Sequence, residues 1–187
     1  SDGVSSAEDW HTMGMRATGS QTVILNKVFV PEDSIALRRP RDAYHKAWNI
    51  ILTAAMPIIM STYLGVAEAA AKIARDQARK RTDDPATPYL LGELANHLTT
   101  AELAVDSMVA IANDLDYEPI AQNADAILTR KTIAANAVLA TVEKALEAAG
   151  GGGFYQKAGL EKLVRDAHAV RYHPLQEKRQ QLFTGRL

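Results

Sequence analysis

The sequence has no cysteine. A disulfide frame, a thiolate nucleophile and a cysteine-ligated zinc site are therefore excluded, and a reducing, cytoplasmic setting is the default expectation. Neither sign of charge is in excess: 21 Lys and Arg stand against 22 Asp and Glu. No nucleic-acid or other polyanion partner held by bulk charge is expected. Long apolar runs are missing as well. The best of them, residues 50–60, is broken by Thr53 and Pro57 and falls short of the ~18 residues a membrane span needs, so no membrane partner is expected. No pair of histidines has the helical spacing of a zinc site, and Asp83-Asp84 reads as turn chemistry rather than metal ligation. Residues 1–8 are small and acidic rather than signal-like, and a start at Ser1 suggests a chain processed or cut from something longer.

What is present divides in two. Residues 1–40 contain a β-rich stretch, 21–30, bounded by Gly19-Ser20 before it and Pro31-Glu32-Asp33 after it. One or two strands are not a domain, because an isolated hairpin is barely stable in water. This arm is expected to join a sheet supplied from elsewhere. From residue 41 the composition turns to Ala, Leu, Ile and Val at helical spacing. The first long helix is expected over 42–80, with Ile50, Ile51, Ala54, Ile58, Leu64 and Ala67 on its buried stripe and a kink at Pro57. A second carries Leu90, Leu94, Leu98, Ala101, Val105 and Met108. A third turns Ile127, Leu128, Ala134, Val138, Val142 and Leu146 inward. Shorter helices are expected over 158–172 and from Pro174 to about Phe183. The fold class is mainly α: an up-and-down bundle of three long and two shorter helices over 41–187, with a short β-strand arm before it.

Two compositional features go beyond a plain bundle. The second and third helices are rich in Ala, which allows close approach on more than one face, as in a helix buried within an oligomer. The third helix also ends in Gly150, Gly151, Gly152 and Gly153, followed by Phe154 and Tyr155. Each glycine costs about 1 kcal/mol of helix stability relative to Ala, and a helix C-cap needs only one. Such a run suits close backbone approach to a cofactor or a neighbouring subunit.

Three segments together resemble the acyl-CoA dehydrogenase family of flavoproteins. The first is Gly14-Met15-Arg16-Ala17-Thr18-Gly19-Ser20 with the strand and Val28-Phe29-Val30-Pro31. The second is Leu64-Gly65-Val66-Ala67-Glu68-Ala69-Ala70 leading to Arg79-Lys80-Arg81. The third is the glycine loop with Glu161-Lys162-Leu163-Val164-Arg165-Asp166. The resemblance implies a C-terminal helical domain preceded by the end of a middle β-domain, with FAD as cofactor. It also implies a homotetramer packed through its helical domains, with acyl-CoA or another small molecule as substrate. In this family the glycine loop and an arginine at the end of the first helix reach the FAD of a neighbouring subunit. By register that arginine is Arg81, whose guanidinium suits a pyrophosphate. Gly150 and Gly151 are the loop positions implied to approach the cofactor, and Glu147 stands where members often have glutamine.

The catalytic positions depart from the family pattern. Dehydrogenation of an acyl thioester needs a carboxylate base, which the family places in one of two positions. Here they fall on Pro174, preceded by His173, and on Ala55, followed by Met56. Neither Pro174 nor Ala55 takes a proton. His173 is the replacement candidate for proton handling, since imidazole titrates near neutrality. Some relatives with this fold are flavin monooxygenases, and Tyr172-His173-Pro174-Leu175 is compatible with that branch. The alternatives are thus a flavin-dependent monooxygenase on the same fold, or a helical oligomerisation module without activity. His97 reads as structural or interfacial, His45 and His168 as solvated helix residues, and His11 lies in the arm.

Overall fold

Good helix formers run almost unbroken from residue 47, punctuated by residues that cannot continue a helix. The computed structural model describes residues 2–187. Among these it has five α-helices: α1 (Ala47–Ala78), α2 (Thr87–Ala112), α3 (Ala121–Ala149), α4 (Leu160–Ala167) and α5 (Glu177–Thr184). Pro88 opens α2 where its missing N–H costs nothing, and Asn113 closes it in the left-handed region at φ 44°. The first helix begins at Ala47 rather than near residue 42, because Asp42 has φ 57° and cannot lie inside an α-helix. The last begins at Glu177 rather than Pro174, since His173 and Gln176 are extended (ψ 142° and 151°). Residues His168–Tyr172 form a separate tight turn after α4.

The chain forms two compact units, with the boundary between His45 and Lys46. In the larger unit, α3 packs against α1, α2, α4 and α5. Ala124, Ile127, Leu128, Ala134, Val138, Val142 and Ala145 are fully buried along it, as their helical spacing requires. The alanines of α3 expected to serve an oligomer are in large part spent inside this unit, where they let α1 and α2 approach on opposite sides.

The buried side of α1 keeps Ala67 from the expected stripe but not its isoleucines. Ile50, Ile51 and Ile58 are 49 %, 48 % and 70 % exposed, while Leu52, Met56, Met60, Tyr63, Ala67, Ala70 and Ala74 face the core. The helix is apolar around much of its circumference, so residue type alone does not single out one stripe. By length and composition α1 would even pass as a membrane span. That differs from the expectation drawn from its interrupted apolar run. In the fold its Met60, Tyr63 and Ala67 side is fully or almost fully buried, as in the core helix of a bundle.

The smaller unit holds two three-residue strands, β1 (Val4–Ser6) and β2 (Val23–Leu25), paired antiparallel with Ser5 opposite Ile24. Asp9 ties its loop together by accepting from the Thr22 amide at 3.0 Å and the Thr22 hydroxyl at 2.5 Å. None of the described residues through His45 is buried. The hairpin thus has no core of its own, as expected for a strand that belongs to a larger sheet.

The two sides of the bundle should respond differently to truncation. Leu128→Ala is expected to cost about 2–5 kcal/mol, and Ile58→Ala less than about 1 kcal/mol, both read from urea unfolding of this chain. Equal losses would return Ile58 to the core.

Candidate functional site

The glycine loop is held by the end of α1. Gly150 has φ 63° and ψ −161°, a combination essentially restricted to glycine. A Cβ there would lie 2.5 Å from Nη1 of Arg81. The Arg81 guanidinium donates through Nη2 to the Ala148 carbonyl, one of the orphan acceptors at the end of α3. Its Nη1 lies 3.9 Å from Asp84, and its Nε is buried without a partner. Arg81 and Gly150, singled out independently in the sequence, therefore touch. Gly153 has a packing reason, since its Cβ would meet Ala149 at 2.5 Å and Leu160 at 3.0 Å. Gly151 has neither reason: nothing lies within 4 Å of its Cβ position. Its backbone is open to approach from outside the chain.

An open groove of about 730 Å³ runs beside the loop, with His97 on one wall and Lys144, Glu147, Gly150, Gly151 and Phe154 along the other. Lys144 Nζ is 2.6 Å from both Glu93 and Glu147. These hydrogen bonds, Glu147 first, raise the Lys144 pKa, and Lys144 lowers that of Glu93. The Glu147 carboxylate is thus already engaged inside the chain. On the other side of the loop a smaller hollow of about 410 Å³ is lined by Gln77, Lys80, Gly152, Tyr155 and Lys157.

His173 belongs to a different cluster. Its Nε2 lies 2.8 Å from the Tyr63 hydroxyl, with the two rings edge-on at 5.4 Å. Burial pushes its pKa below the ordinary value, and the charge of Lys131 pushes it the same way. Burial, then Asp166, raises Tyr63 to about 12, so the phenol is a neutral partner. Lys131, 1 % exposed, donates from Nζ to the carbonyls of His173 and Leu175, each at 3.1 Å. At about 1.5 Å of rise per residue, the stretch of α3 between Lys131 and Ala149 separates this cluster from the glycine loop by about 27 Å. The structure therefore brings Arg81, Glu147, Gly150 and Gly151 to one end of α3 and leaves His173 midway along it.

Sequence reasoning passed over Tyr63 and Lys131. The signal for Lys131 was available: it stands on the inward stripe of α3, between Leu128 and Ala134, where an apolar residue is due. A lysine at such a position is rarely buried without a task. Tyr63 carried no comparable signal, because an aromatic on a core stripe is ordinary packing. Among the described residues no cluster of three or more His, Asp or Glu side chains could hold a metal ion.

Comparison with known proteins gives the family and the fold. Residues 58–177 match the family described as acyl-CoA dehydrogenase, C-terminal domain. YdbM of Bacillus subtilis (strain 168), which carries an acyl-CoA dehydrogenase name, is 28 % identical over 183 residues, covering 92 % of this chain and 46 % of YdbM. The amino sugar nitrososynthase DnmZ of Streptomyces peucetius is 28 % identical over 185 residues, covering 92 % of this chain and 45 % of DnmZ. XiaF from a Streptomyces species, solved with FADH2 and glycerol, superposes with a TM-score of 0.82 at 23 % identity, over 98 % of this chain and 52 % of XiaF. The chain spans about half the length of the curated relatives it matches.

Two consequences can be measured. Gly150→Ala should cost about 1–3 kcal/mol, and part of that loss should disappear when Arg81→Ala is added, because the clash partner is then gone; strict additivity in urea unfolding would contradict the contact. The depressed His173 pKa makes a second prediction. The unfolded chain binds the proton more readily, so the stability in question is fully present above about pH 6.5 and is lost as pH falls through the folded value. His173→Gln should flatten the slope of unfolding midpoint against pH in that window.

Proposed function

The chain belongs to the acyl-CoA dehydrogenase family, through its C-terminal domain, and on that premise we propose that it forms the helical wall of the flavin site in an FAD-dependent oxidoreductase. The observation that carries this reading is the open backbone of Gly151, next in the chain to Gly150, which abuts the Arg81 guanidinium. These residues fit a dinucleotide. Gly151 admits close approach to its amide, and Arg81, partly exposed and fixed on the end of α3, offers positive charge to a pyrophosphate. A bound flavin supplies the redox chemistry. The chain supplies a cation, an open loop and, at His173, a proton-handling group.

The distance along α3 supports an assembly. A glycine loop about 27 Å along α3 from the lysine that holds the proton-handling segment is economical when each serves a different flavin, one of its own subunit and one of a neighbour. That is the arrangement of a homo-oligomer, a tetramer by resemblance, in a cytoplasmic setting.

Between the two reactions open to this fold, one observation favours flavin-dependent monooxygenation over acyl-CoA dehydrogenation. The position expected for the carboxylate base is Pro174, and the group beside it is His173, neutral and held on Nε2 by Tyr63. Its Nδ1 is the ring atom left to exchange a proton with substrate or cofactor. The nitrososynthase DnmZ and a dibenzothiophene monooxygenase of Mycolicibacterium goodii are among the relatives, each 28 % identical.

The full-length protein tests this. Bleaching of its flavin by acyl-CoA without oxygen indicates the dehydrogenase, and oxygen uptake dependent on a flavin reductase indicates the monooxygenase. Arg81→Ala should weaken flavin binding about tenfold, the loss of one charge-assisted pair. A full-length protein that never retains flavin would reduce this chain to an oligomerisation module.

A further inference from the structure

Lys131 is the least explained side chain in the core. It is 1 % exposed and sits on the apolar stripe of α3 between Leu128 and Ala134. Burying an ammonium is costly unless it is paired, yet its Nζ contacts are two neutral carbonyls, those of His173 and Leu175, at 3.1 Å each. Glu177 at the start of α5 opposes the charge only from a distance, and burial keeps the Lys131 pKa below the ordinary lysine value. A methionine would fill the same space without that penalty, but it would leave both carbonyls without a donor.

We propose that Lys131 is a positioning residue for His173: its ammonium clamps the backbone carbonyls on both sides of Pro174, which brings its charge near the imidazole and keeps the ring aimed. This rests on the reading of His173 as the proton-handling group and deepens it. Each contact has a separable task. Tyr63, on α1, orients the ring through Nε2 at 2.8 Å. Lys131, on α3, fixes the segment that carries the ring. A nearby positive charge disfavours a second one on the imidazole, so the ring keeps one lone pair at neutral pH; with Nε2–H donating to the Tyr63 oxygen that lone pair is on Nδ1, and with the Tyr63 hydroxyl donating to Nε2 the exchangeable proton is on Nδ1. Two further charges bear on this cluster. Asp166 on α4 acts on Tyr63, and Glu177 on α5 acts on Lys131. Burial and Lys131 act on His173 directly, while Asp166 and Glu177 reach it only through Tyr63 and Lys131.

The test titrates His173 by NMR on histidine-labelled protein, with His173→Gln assigning its signal among the five histidines. Lys131→Gln keeps an amide donor for a carbonyl and removes the charge; Lys131→Met removes both. The wild-type ring should titrate below about 6.5. In Lys131→Gln it should rise by about half a pH unit or more, as expected for loss of a close like charge. Lys131→Arg, which keeps the charge, should stay near wild type. A wild-type ring at or above the ordinary value overturns the assignment without any variant, and so does a Gln variant that titrates as wild type does. The acid limb of kcat/KM in the flavin-loaded full-length protein gives an independent reading. If the NMR titration moves and the limb does not, Lys131 still positions His173 and the proton-handling role of His173 is what fails.

Discussion

Burial of α3 is the constraint on which the rest depends. It touches every other helix of the bundle, and its small inward residues let α1 and α2 approach from opposite sides. Both candidate sites are hung on this one rod. The glycine loop leaves its C-terminal end, and Lys131 projects from its middle to the segment that carries His173. A helix packed on so many sides has little freedom to shift, so the spacing between the two sites is a fixed property of the fold.

The end of α3 shows how one arginine can do two things. Its last carbonyls lack intrahelical partners, and Arg81 answers one of them at Ala148. The same guanidinium occupies the space a side chain at position 150 would need. A residue read from sequence as a cofactor ligand is therefore also what gives the loop its shape. Holding the loop and meeting an anion are compatible, because the guanidinium carries five donors in a planar fork.

The His173 cluster is organised by the opposite physics. Around the glycine loop, charges meet charges across partly exposed surface, as Lys144 does with Glu93 and Glu147. Around His173, a buried ammonium donates to two carbonyls and the imidazole meets a neutral phenol, with carboxylates acting only from farther away. Low local polarity makes such contacts sensitive to a single charge. It is the kind of setting in which a histidine can be held neutral.

Much of this was legible in the sequence. Helix number and order followed from apolar spacing and from Pro, Asn and Gly at the breaks, because those residues act locally on the backbone. The β arm without a core of its own was equally readable, since so few strand residues cannot bury one another. The glycine run declared that something close was needed, and the family resemblance named Arg81, Glu147 and His173 with it. Only the tertiary structure decided which side of α1 faces inward, because a helix apolar around most of its surface leaves that choice to its neighbours. Only it separated the four glycines: Gly150 is needed for its conformation, Gly153 for packing, Gly152 lies against Gln77, and Gly151 is left open. And only it joined Lys131 and Tyr63 to His173: they lie 42 and 110 positions away along the chain, and no local pattern encodes a contact made by three elements folding onto one another.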